Sequence, residues 1–98
     1  MNYLKEYNIT HEEIEELKDR FNENIIKFLE ENEMFIKEKL DYLKEQNFII
    51  YPILKDNIKI FLEMDFVLKR KIENMKNKNF NNKQIQMILM NEKLYNEF

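Results

Sequence analysis

Lys37-Glu38-Lys39-Leu40-Asp41-Tyr42-Leu43-Lys44-Glu45-Gln46-Asn47-Phe48 returns 32 residues later as Lys69-Arg70-Lys71-Ile72-Glu73-Asn74-Met75-Lys76-Asn77-Lys78-Asn79-Phe80, with five of the twelve positions identical. The apolar positions keep their type: Leu40 and Leu43 in the first copy are Ile72 and Met75 in the second, three residues apart, as on one helix face. Both copies end in Asn-Phe. Asparagine tolerates the left-handed backbone that terminates helices, and in a chain with no glycine it is the natural substitute. Each copy therefore predicts an amphipathic helix stopped at Asn47 or Asn79 and closed by Phe48 or Phe80.

The likeness extends upstream. Asn24-Ile25-Ile26-Lys27-Phe28 matches Asn57-Ile58-Lys59-Ile60-Phe61 after a one-residue slip, and Asn91-Glu92-Lys93-Leu94-Tyr95 opens a third, partial copy. Periods of this length indicate stacked helical units that bury one another's faces. The expected repeat covers residues 24–48 and 57–80, with a terminal partial unit at 81–98.

Helix starts fit that frame. Thr10-His11-Glu12-Glu13 is a capping box ahead of Ile14, Leu17 and Phe21, and Asn81-Asn82-Lys83-Gln84 is a second one ahead of Ile85, Ile88 and Leu89. The first helix is expected to stop near Asn22-Glu23-Asn24, or to run on along Ile25, Phe28 and Leu29. Pro52 suits the first turn of a helix whose buried side is Ile53, Leu54, Ile58, Phe61 and Leu62. Asp65 is the expected cap of the helix carrying Phe66, Val67, Leu68, Ile72 and Met75. Leu94, Tyr95 and Phe98 are expected to close the end. The expected fold is all-α: one domain over residues 1–98, a compact array of five or six short helices in two tandem units.

Composition narrows the chemistry. Ninety-eight residues suit one core. The absence of cysteine removes disulfides, thiolate nucleophiles and cysteine-ligated metals, and the absence of glycine and serine removes phosphate-cradling loops and serine nucleophiles. His11 is the only histidine and sits in the first turn of a polar helix. Glu12, Glu13, Glu15 and Glu16 gain from the positive end of that helix, which explains their clustering without a metal. No catalytic residue, metal or cofactor is expected. No apolar run approaches the roughly 18 residues of a membrane helix, and the first residues lack the apolar core of a secretory signal, so a cytoplasmic chain without membrane contact is expected.

Charge is uneven. Residues 1–68 hold 9 basic and 16 acidic groups, and residues 69–98 hold 7 basic and 3 acidic, so a net charge of −3 conceals −7 against +4. The acidic part disfavours broad attraction to phosphate backbones, while the second part can form a local basic patch.

The segments Asn24–Phe48, Asn57–Phe80 and Asn81–Tyr95 resemble the repeats of the mitochondrial transcription termination factor family. There a helix, a short Asn-containing turn and a longer helix end in a Gly-Phe-like stop. The resemblance implies a curved stack of short helices and nucleic-acid binding. This chain departs from the pattern where the usual proline after the turn is replaced by Ile25, Ile58 and Glu92, and where Asn47 and Asn79 replace the stop glycine.

Function is expected to be regulatory protein–protein interaction. The large apolar set (Tyr42, Tyr51, Phe61, Met64, Phe66, Met87, Met90, Tyr95) exceeds what one small core needs, and aromatic and methionine side chains suit interface anchors. Tyr51, Phe61, Phe66 and Tyr95 are the expected anchors, against another protein or a second copy. The alternative is a nucleic-acid-binding regulator that contacts phosphates through Lys69, Arg70, Lys71, Lys76, Lys78 and Lys83.

Overall fold

Three asparagines, Asn8, Asn47 and Asn79, carry the backbone through the left-handed region at φ 62°, 64° and 65°, and no other residue does. In the computed structural model, which describes residues 1–98, each of them ends a helix. A 3-10 helix, Asn2–Tyr7, precedes α1 (His11–Arg20), α2 (Glu23–Glu31), α3 (Glu33–Glu45), α4 (Ile50–Asp56), α5 (Lys59–Leu62), α6 (Asp65–Asn77), α7 (Asn82–Leu89) and α8 (Glu92–Asn96). There is no strand. The all-helical class is as expected, but nine helices replace the expected five or six.

The two copies of the Asn-Phe motif close in the same way. After α3 the Phe48 N–H donates to the Leu43 carbonyl at 3.0 Å and the Asn47 N–H to that of Lys44 at 3.0 Å. After α6 the Phe80 N–H donates to the Met75 carbonyl at 3.1 Å and the Asn79 N–H to that of Lys76 at 2.9 Å. These bonds satisfy carbonyls that a helix end leaves open. A Cβ in the left-handed region costs about 1–2 kcal/mol, part of which asparagine recovers through local hydrogen bonding. Asn47→Ala and Asn79→Ala should therefore each lose about 1 kcal/mol, and Asn→Gly at either site should lose nothing, as read from the midpoint of a thermal melt. Equal losses for alanine and glycine would show that the backbone conformation is not the source.

The extra helices come from asparagines whose side chains bind the backbone. The capping box at Thr10 forms as expected, the Glu13 N–H donating to Thr10 Oγ1 at 3.1 Å and the Thr10 N–H to Glu13 Oε1 at 2.9 Å. Asn22 Oδ1 then accepts from the Ile25 N–H at 3.0 Å, so α2 starts afresh instead of prolonging α1. Asn32 Nδ2 donates to the Phe28 carbonyl at 2.9 Å where α2 gives way to α3. Asn57, at φ −144°, breaks the helix expected from Pro52 to Leu62. Its buried side chain donates from Nδ2 to the Leu89 carbonyl at 3.0 Å and fixes the corner against the end of α7. Asn91 Oδ1 accepts from the Leu94 N–H at 3.2 Å and turns the expected end cap into α8. Asp65 is the first residue of α6 rather than its cap, and it pairs with Lys69 one turn on, at 3.0 Å.

Helix α3 is the hub, packing against the 3-10 helix, α2, α4, α5 and α6. One contiguous core of buried apolar residues runs from Tyr3 to Tyr95. Lys39 also lies wholly inside it: its Nζ donates to the Glu63 carbonyl at 2.5 Å and stands 3.3 Å over the Phe35 ring. Desolvation pulls the Lys39 amine down to about 8, against the upward pull of Asp65, Glu38 and Glu63.

Candidate protein-docking surface

After the left-handed turn at Asn47 the chain runs extended into α4, and extended backbone sends successive side chains to opposite sides. Phe48 and Ile50 therefore enter the core, and Ile49 between them points outward, 68% exposed. Helix α7 locks this segment in place. The Ile49 N–H donates to Gln86 Oε1 at 2.8 Å and Gln86 Nε2 donates to the Ile49 carbonyl at 3.0 Å. One turn earlier Asn82 Nδ2 donates to the Gln46 carbonyl at 2.9 Å. An exposed isoleucine is thus held on fixed backbone, which lowers the entropy lost when a partner covers it.

Clefts open on both sides of that ridge and share Asn47, Phe48 and Ile49. The larger, about 440 Å³, is bounded by Tyr7, Asn8, Glu13, Lys44 and the first turn of α4, including Tyr51 and Pro52. The smaller, about 260 Å³, lies against α7 at Asn82, Lys83, Gln86 and Met87. Met87 is 64% exposed. The surface therefore runs from an acidic edge on α1, across Ile49, to Met87 and Lys83.

Tyrosines stiffen the acidic edge. The Tyr51 hydroxyl donates to Glu16 Oε2 at 2.5 Å, and desolvation with this bond raises it to about 12. The Tyr7 hydroxyl donates to Asp41 Oδ1 at 2.5 Å and is raised further by its own desolvation and by that bond. Lys44 Nζ stands 5.8 Å over the Tyr7 ring and has no carboxylate partner.

The four expected anchors divide. Phe61 and Tyr95 are wholly buried and belong to the core, so neither can meet a partner in this fold. Phe66 is 57% exposed near the start of α6, and Tyr51 is half-buried in the larger cleft. Ile49 is not among the expected anchors. The alternation Phe48-Ile49-Ile50 after a left-handed stop was the signal that placed its middle residue outward.

The six expected phosphate contacts do not share a face. At 100° per residue Lys69 and Lys76 fall on one flank of α6, Lys71 on the other, and Arg70 away from the core. Three are already engaged: Lys69 with Asp65, Lys71 with the Tyr95 carbonyl at 3.1 Å and the Tyr95 ring at 4.0 Å, and Lys76 with Gln46 Oε1. Lys78 stands 5.2 Å over the Phe98 ring. Arg70, Lys78 and Lys83 are exposed without ion pairs, and Lys83 alone lines a cleft.

His11 is exposed at the first position of α1, 4.0 Å from Glu15. No three acidic or imidazole groups converge as metal ligands. No helix is long and apolar enough to cross a membrane. Comparison with family models, with curated proteins and with solved structures finds no match to this chain.

Proposed function

We propose that this chain is a non-enzymatic helical docking module that engages a protein partner through the Ile49 ridge and its two flanking clefts. The observation that supports this most is a large apolar side chain, 68% exposed, on backbone fixed by two hydrogen bonds from Gln86. Interfaces are centred on such side chains, fully covered on binding and ringed by polar groups. Here the ring is Glu13, Lys44, Asn82 and Lys83.

A photo-crosslinking amino acid placed at position 49 tests the proposal in the cells that make the protein. Met34, 76% exposed outside both clefts, is the control position. One discrete adduct from position 49 and none from position 34 is the expected result. No adduct from position 49, or equal adducts from both, would remove the docking role. The nucleic-acid alternative rests on Arg70, Lys78 and Lys83. Tight binding to duplex DNA or RNA that falls steeply with salt, and is lost on changing those three to glutamate, would establish it instead.

A further inference from the structure

From the order of charges along the docking surface, we infer that its occupant is a second copy of this chain, bound about a twofold axis close to Ile49. The inference rests on the docking role proposed above and adds the identity of the partner.

The two ends of the surface are opposite in charge. On α1, Lys18 is held by Glu15 at 3.5 Å and Arg20 by Asp56 at 3.5 Å, which leaves Glu12, Glu13 and Glu16 without a cation. Glu13 lines the larger cleft and Glu16 holds the Tyr51 hydroxyl at its margin, so that with Glu12 the three acids outnumber the one cation there, Lys44. At the other end α7 (Asn82–Leu89) carries Lys83 and no acid at all, and Lys83 has no ion-pair partner. Ile49 belongs to both clefts and so lies between the ends.

A twofold operation about that midpoint reverses the order. It brings the partner's Lys83 to Glu13, and Glu13 to the partner's Lys83, as an isologous interface requires. The same operation brings Ile49 of the two copies together at the centre and lays the Met87 of each copy, beside Lys83, against the larger cleft of the other. A surface with one sign of charge would repel its own copy. This one attracts it twice, once at each end. Complementary charge of this kind fixes register and excludes wrong partners more than it adds affinity, so the apolar centre provides the binding and the ends provide the specificity.

Sedimentation of the purified protein at rising concentration, up to roughly 1 mM, gives the first readout. A mass moving from 12.3 kDa toward twice that value is expected. Ile49→Asp should abolish the shift while leaving helical circular dichroism and the melt unchanged, because the Gln86 bonds go to backbone. Met87→Asp should act likewise, because it sets a carboxylate against the acidic edge of the other copy. The decisive step uses Glu13→Lys and Lys83→Glu. Each alone should weaken self-association on the order of tenfold, since like charges then face each other at both ends. An equimolar mixture of the two single variants should recover it, because each of their two contacts again pairs opposite charges. Recovery absent from the mixture, or dimers insensitive to Ile49→Asp, would overturn this interface. A chain that stays at 12.3 kDa but yields a position-49 adduct of another mass would overturn self-docking and leave the docking role intact. A chain that yields neither would overturn both.

Discussion

Phe61→Ala should cost about 3–5 kcal/mol, whereas Phe66→Ala should stay within about 0.5 kcal/mol. Both residues are phenylalanines at helical positions five apart, and sequence pattern alone placed them together as surface anchors. Phe61 is wholly buried in α5, a four-residue helix too short to hold itself without its core contacts. Removing its ring leaves a cavity in the core that α5 builds against α3. A domain of this length has roughly 5–15 kcal/mol of stability in all. The lower end of the expected loss therefore lowers the melting midpoint by about 12–24 °C, and the upper end approaches global unfolding for a marginal domain. Phe66 exposes more than half its surface, and its loss is felt only if a partner covers it. Melts of the two variants, followed by circular dichroism at 222 nm, check the contrast. Equal shifts would mean that α5 is not part of the cooperative core.

The difference between those two phenylalanines marks where sequence pattern stops being informative. Boundaries were legible wherever a single residue's chemistry sets them: the boxes at Thr10–Glu13 and Asn81–Gln84, and the left-handed stops at Asn47 and Asn79. Facing was not legible, because it depends on where each helix breaks. Asn57 supplies an example. Periodicity alone allows a single helix from Pro52 to Leu62, although the repeat alignment sets Asn57 at a turn. In the fold it is buried and bound to the Leu89 carbonyl, and the break re-aims everything from Ile58 onward. That bond spans 32 residues, so no local pattern could announce it. The basic residues divide for a related reason. Proximity in sequence suggested a patch, but consecutive residues on a helix point 100° apart, and three of the amines are drawn onto Asp65, Tyr95 and Gln46. Of the docking surface, the sequence showed Tyr51 and Lys83, one at each end, but not the exposed isoleucine that joins them.

Lys39 is matched by Lys71 in the second copy of the repeat, and nothing in that pattern marks it as buried. Its burial predicts an unusual response to alkali. The unfolded chain titrates this amine at its ordinary 10.5, whereas the folded chain releases the proton at about 8. Between those values the unfolded state binds more protons, so stability must rise with pH. The desolvated Lys71 amine is shifted in the same direction. Five tyrosines act oppositely. Tyr3, Tyr7, Tyr42, Tyr51 and Tyr95 are all raised above 10.0, chiefly by desolvation, so from about pH 9 upward the unfolded state loses phenolic protons that the folded state keeps. Stability should therefore climb from pH 8 by about 1 kcal/mol, peak a little above pH 9 and fall beyond it. Lys39→Met keeps the length that fills the core and removes the buried charge, but leaves the Glu63 carbonyl without its donor. These effects oppose each other, and at pH 7 the variant should lie within about 1 kcal/mol of the wild type. Its profile should lose most of the rise between pH 8 and 9 and keep the tyrosine-driven fall. Urea midpoints of both proteins at pH 7, 8, 9, 10 and 11 separate the two contributions, and parallel profiles would show that the Lys39 proton is not what stability follows.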